Sequence, residues 1–223
     1  MATFSRRLAL LALPVLALVA CGAANGDGAA TEPAGDGSVY YDLGYVKGNA
    51  KAPLTVIEYA SPTCPTCKYF HDEILPVLEE KYIATGKVKF VFREFPIHGP
   101  PDIEIMAIAR CVGPEKFFEV VDDVFEHQSG LVQAAQAGAL RSALQTIGKR
   151  HGIETPEAFE ACRTDPKIRT AMAEVYAEGQ KHKVDGTPTF VIDGKVRNWG
   201  GDYTTVEGFS RQFDAVLAEK GVQ

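Results

Sequence analysis

An apolar run of strand composition, Leu54-Thr55-Val56-Ile57-Glu58-Tyr59, gives way within five residues to Cys64-Pro65-Thr66-Cys67 and then to a helical repeat. A strand that feeds directly into a helix through two closely spaced thiols constrains the fold more than any other feature of the chain. The helix is expected over residues 65–85, with Phe70, Ile74, Val77 and Leu78 on one buried face. His71 then reads as a surface histidine, and Pro76 inside the pattern predicts a kink. Gly86 stands where a helix terminator belongs. Residues 88–95, Val-Lys-Phe-Val-Phe-Arg-Glu-Phe, form a second strand that Pro96 closes.

From about 101 to 182 the period is helical. Ile105, Met106, Ala109 and Val112 make one stripe, and Phe117, Phe118, Val121, Val124 and Phe125 a second. Leu140, Leu144 and Ile147 make a weaker third. Thr155-Pro156 and Asp165-Pro166 each set a capping side chain before a first-turn proline. The helix after Asp165 is expected to bury Ile168, Met172, Val175 and Tyr176. Residues 189–192, Asp193-Gly194 and residues 195–197 read as a β-hairpin. A last helix opens at a capping box, Thr204-Thr205-Val206-Glu207, and buries Phe209, Phe213, Val216 and Leu217. The order is strand, cysteine helix, strand, helical block, hairpin, helix, with no internal repeat.

The N-terminus reads as an export signal. Arg6 and Arg7 precede an apolar stretch, residues 8–19, which at 12 residues is short for a membrane span. Val19-Ala20-Cys21-Gly22 resembles a bacterial lipobox, which implies cleavage before Cys21 and lipid attachment there; ordinary signal cleavage is the alternative. Residues 1–20 are thus expected to be a signal peptide and 21–39, rich in Gly and Ala, a flexible tether. The folded domain is expected over 40–223. A formal charge of −6 argues against nucleic-acid binding. Five cysteines are an odd number for an exported chain, and a lipid on Cys21 leaves four to pair. Cys111 and Cys162, on separate helices, are expected to form a structural disulfide, the alternative being two buried thiols.

At a helix start the free N–H groups and the macrodipole favour a thiolate on the first cysteine. Cys64 is therefore the exposed sulfur open to attack and Cys67 its buried partner. Half of a zinc site has the same spacing, but no second ligand pair accompanies it, and no metal is expected. With Gly186-Thr187-Pro188-Thr189-Phe190 downstream, the chain resembles the thioredoxin superfamily, and the helical block at about 99–182 resembles an insertion of its DsbA-like branch. The fold class this implies is α/β, a thioredoxin fold with a helical subdomain inserted in the middle. The resemblance implies that Pro188 is a cis-proline packed on the cysteine pair. It also implies that Thr187 and Pro188 offer backbone to an extended substrate, and that Glu58 is a buried acid serving proton transfer, where a solvent-facing strand residue is the alternative.

The implied activity is that of an envelope thiol:disulfide oxidase acting through Cys64–Cys67, with no other cofactor. Its implied partners are reduced exported proteins and a DsbB-like membrane protein. Relatives often carry histidine where Thr66 stands, which leaves a reductase or isomerase as the alternative. A metal-binding or non-catalytic lipoprotein is the more distant one.

Overall fold

The structure, a computed structural model, describes residues 43–222. The expected signal, the lipidation site Cys21, the tether and the first residues of the expected domain lie outside the described residues.

Strand β2 (Leu54–Ala60) runs parallel to β3 (Val88–Glu94), in register Ile57 to Val91. A parallel pair needs a crossover, and residues 65–83 supply it. That crossover is α1 (Pro65–Tyr69), a π-helical turn (Phe70–Ile74), α2 (Leu75–Leu78) and a second π turn (Glu79–Ile83). Pro76 has no N–H to give, and just before it the Leu75 N–H reaches back five residues to the Phe70 carbonyl. The widened turn inserts one residue into the helical phase. His71, four residues after the buried Cys67, faces inward with Phe70, and Leu75 replaces Val77 on the buried face. The surface position expected for His71 is thereby corrected: its ring pairs with the buried Glu58. Gly86, at φ +75°, ends the segment.

The sheet order is β1-β3-β2-β4-β5. β1 (Tyr45–Lys47), antiparallel to β3, is too short to show a period and has no counterpart in the sequence reading. β4 (Thr189–Ile192) and β5 (Lys195–Asn198) form the expected hairpin, β4 lying antiparallel to β2. Strand alternation aims Leu54, Val56, Glu58 and Ala60 at the main core and Ile57 and Tyr59 at a smaller cluster with Phe95, Val184 and Val191.

The helical block comprises α3 (Pro100–Cys111), α4 (Phe117–Glu126), α5 (Gln128–Gln136), α6 (Leu140–Arg150), α7 (Pro156–Thr164) and α8 (Pro166–Lys181). Its apolar stripes merge with the sheet's main core. Helix α5 buries only Gln128 and Leu131 and so carries no stripe to read. Thr155 and Asp165 cap α7 and α8 as expected. Tyr176 is 42% exposed, not buried, because its ring lies over Phe95 at the rim of the smaller cluster. Helix α9 (Val206–Glu219) is capped by Thr205 through the Gly208 N–H. The expected box from Thr204 to Glu207 does not form, because Thr204 closes a short 3-10 turn. Val216 is half-buried.

Candidate active site

Cys64 is the N-cap of α1, with extended backbone, and Pro65 takes the first helical position. Cys64 is only 5% exposed and Cys67 fully buried. The expected exposure of Cys64 is corrected: residues 61–64 are drawn down against the helical block. Gln128 of α5 donates its side-chain amide to the Pro62 carbonyl (3.0 Å) and the Cys64 carbonyl (2.9 Å). Asp102 of α3, fully buried, accepts from the Ser61 hydroxyl (3.0 Å), the Thr63 hydroxyl (2.5 Å) and the His98 N–H (3.0 Å). His98 Nδ1 in turn lies 2.7 Å from Thr63 Oγ1. The sequence reading missed Asp102 and Gln128 because a lone acid in a first turn and a lone amide in a helix carry no pattern.

Cys64 and Cys67 stand as thiols of opposite character. The Cys64 Sγ lies 3.0 Å from Thr66 Oγ1 and 3.2 Å from the Thr187 carbonyl oxygen. Hydrogen bonding from Cys67, then from the side chains of Thr187 and Thr66, outweighs desolvation and lowers the Cys64 pKa from 9.0 to about 5. Burial first, then Cys64 and the Glu58 carboxylate, push the Cys67 thiol well above its ordinary range.

The Thr187–Pro188 bond is cis and Pro188 is buried. Thr187 therefore presents its carbonyl to both Cys64 and Thr66, whose Oγ1 is 3.4 Å from it. Glu58 is fully buried under the cysteine helix and is not a solvent-facing strand residue. Its Oε2 accepts from His71 Nε2 at 2.9 Å. The structure thus brings Cys64, Cys67, Thr187, Pro188 and Glu58 into one neighbourhood.

Cys111 and Cys162 belong elsewhere. Their disulfide joins the end of α3 to α7, with Cα atoms 5.4 Å apart. Among the described residues, Asp123, Glu126 and His127 bring three possible ligand atoms together, but Arg150 and His151 already occupy the Asp123 carboxylate.

The family profile described as Thioredoxin matches residues 42–215. A Rickettsia typhi protein provisionally named a protein-disulfide oxidoreductase is 34% identical over 177 residues, which is 78% of this chain and 62% of the relative. The chain thus spans about three fifths of the curated relatives it first matches. Disulfide bond formation protein D of Bacillus subtilis is 28% identical, with 73% of each chain covered. The crystal structure of alpha-DsbA1 from Wolbachia pipientis superposes with a TM-score of 0.68 at 28% identity, over 79% of this chain and 92% of that one. This chain itself combines a five-stranded mixed sheet with a cysteine pair at a helix start and a helical block between β3 and β4. The chain belongs to the thioredoxin family and is DsbA-like, with a helical insertion in the thioredoxin fold.

Proposed function

We propose that this protein is a thiol:disulfide oxidoreductase that works as an oxidase of other proteins. The observation that carries the reading is the asymmetry of the pair, with Cys64 favoured as thiolate and Cys67 held as thiol. Stabilising the Cys64 thiolate stabilises the reduced protein, and the oxidised pair becomes the stronger oxidant. The names of the relatives, a protein-disulfide oxidoreductase and a disulfide bond formation protein, support the same chemistry.

In the proposed cycle a substrate thiolate attacks Cys64 Sγ of the disulfide form. The Cys64–Cys67 bond breaks, its electron pair goes to Cys67, and Cys67 takes a proton by way of Glu58. A second substrate thiolate then attacks the mixed disulfide, and Cys64 leaves as the stabilised thiolate. Substrate gains one disulfide and the enzyme becomes the dithiol. The Thr187 carbonyl and the Pro188 turn would align the substrate backbone beside Cys64. Substrates would be reduced, unfolded exported chains. Reoxidation would fall to a membrane redox partner of the DsbB kind, with the domain exported and tethered through a lipid on Cys21.

The test is the reduction potential against glutathione together with oxidative refolding of a reduced model protein. Refolding at a potential well above that of thioredoxin is expected. A potential near roughly −270 mV would overturn the oxidase assignment in favour of a reductase. Thr66, in place of a charged neighbour for Cys64, is the observation that keeps that second reading in view.

A further inference from the structure

Glu58 and His71 form a buried polar pair inside an otherwise apolar core, 0% and 8% exposed. Aromatic rings enclose the imidazole, with Phe125 at 4.4 Å and Phe70 and Phe92 edge-on at 5.7 Å. Such a pair costs desolvation that an apolar pair would not, so a use for it is worth seeking. One nitrogen of the ring meets Glu58 at 2.9 Å. The other, Nδ1, is buried without a hydrogen bond among the described residues, as is Glu58 Oε1. His71 also lines a cleft of about 190 Å³ that opens between α2 and α4. The charged groups facing that cleft are Lys47 of β1, Asp72 and Glu79 of the crossover, and Asp122 of α4. Three of them are paired, Lys47 with Glu79 (2.9 Å) and Asp72 with Lys68 outside the cleft (2.6 Å). The imidazole thus both hydrogen-bonds the buried carboxylate and lines the cleft.

We propose that His71 is the proton relay between Glu58 and solvent, receiving a proton at Nδ1 from the cleft and passing its Nε2 proton to Glu58. The inference rests on the proposed exchange at Cys64–Cys67 and deepens it. When Cys67 leaves as a thiolate inside the core, it must be protonated, and when the pair is reoxidised the same proton must leave. Glu58 is enclosed and has no exposed surface through which to exchange it. An imidazole moves protons between its two nitrogens near neutral pH. In the forward direction Glu58 gives its proton to Cys67 and regains one from His71, which is recharged from the cleft. The balance closes with one proton taken from solvent per disulfide opened. The field of the Glu58 carboxylate on Cys67 is consistent with this proximity.

The test uses the whole protein and His71→Gln, whose amide can still donate to Glu58 but cannot relay. Trp199 packs edge-on to Tyr69 of the cysteine helix, at 6.2 Å between ring centres, and offers a fluorescence signal. Stopped-flow reduction of the Cys64–Cys67 disulfide by dithiothreitol is followed from pH 5 to 9, with and without added imidazole. The variant is expected to be slowed about tenfold or more, at the modest end of general acid–base effects. Imidazole should restore its rate while leaving the native rate and the glutathione equilibrium unchanged. A variant rate within about twofold of native across the range, or a slowing that imidazole does not relieve, would overturn the relay. If His71→Gln does not fold, His71→Asn is read by the same criteria. Failure of the native protein to refold a reduced substrate would defeat the oxidase reading alone, since the dithiothreitol rates still report on the relay.

Discussion

Cys64 owes its thiolate to neighbours that a spacing rule cannot display. The two cysteines were legible because four consecutive residues carry them, and Pro188 because a proline before a strand is unusual. Thr66 was legible only as a missing histidine, yet its hydroxyl lies 3.0 Å from the Cys64 sulfur. Replacing Thr66 with Val keeps the shape and removes that donor. Alkylation of the reduced protein by iodoacetamide should show Cys64 titrating near pH 5 in the native chain, with the reactive form dominant above it and lost below. In Thr66→Val the midpoint should rise by about one to two units, the worth of one hydrogen bond to a charged group. An unchanged midpoint would mean that Thr66 plays no part. The sign also governs stability: with a folded pKa below the unfolded value, the Cys64 thiolate stabilises the reduced fold. That contribution is complete above the unfolded value of 9.0 and vanishes as pH falls through about 5.

At the scale of elements, strands and amphipathic helices were readable wherever a period ran for several turns. β1 was too short and α5 too polar to announce themselves. His71 was misplaced although it stands four residues after Cys67 and four before Leu75, on the stripe those buried residues share, because a polar side chain with no readable partner is taken for surface. Long-range polar pairs were equally silent. Arg110 of α3, fully buried, donates to Glu94 of β3 at 2.5 Å and lies over the Tyr45 ring, tying the helical block to the sheet. Replacing Arg110 with Ala should lower unfolding stability in urea by about 3–5 kcal/mol, because a buried carboxylate is left uncompensated. Pairing Arg110→Met with Glu94→Leu should recover most of the loss. If the single variant lost no more than a surface substitution does, the pair would have no such tie to make.

For the molecule as a whole, the thioredoxin fold with an insertion was indicated by a resemblance, carried by Cys64-Pro65-Thr66-Cys67, Pro76 and residues 186–190 within that order of strands and helices. How the insertion meets the site was hidden, because it depends on single side chains such as Asp102 and Gln128 reaching across to residues 61–64. The Cys111–Cys162 bridge closes a separation of 51 residues within that insertion, worth about 4 kcal/mol in the chain-entropy account. The proposed anchoring belongs to this scale too. In cell fractions the native chain should travel with membranes and Cys21→Ser should not, with the oxidase activity of both equal in detergent. Equal distribution of the two forms would remove the lipid from the picture.

Cys64 is recessed to 5% of its surface, beneath a turn held by Gln128 on one side and flanked by Thr187 on the other. A sulfur set so low can be met only by a partner able to thread a slender piece of itself into the recess. A cysteine on a loose, extended chain can do so, while one already packed into a rigid surface cannot. The depth of one atom thereby sorts partners by their folding state. On the proposed reading, disulfides would be installed early, while the client chain is still pliable, and finished proteins would pass by untouched.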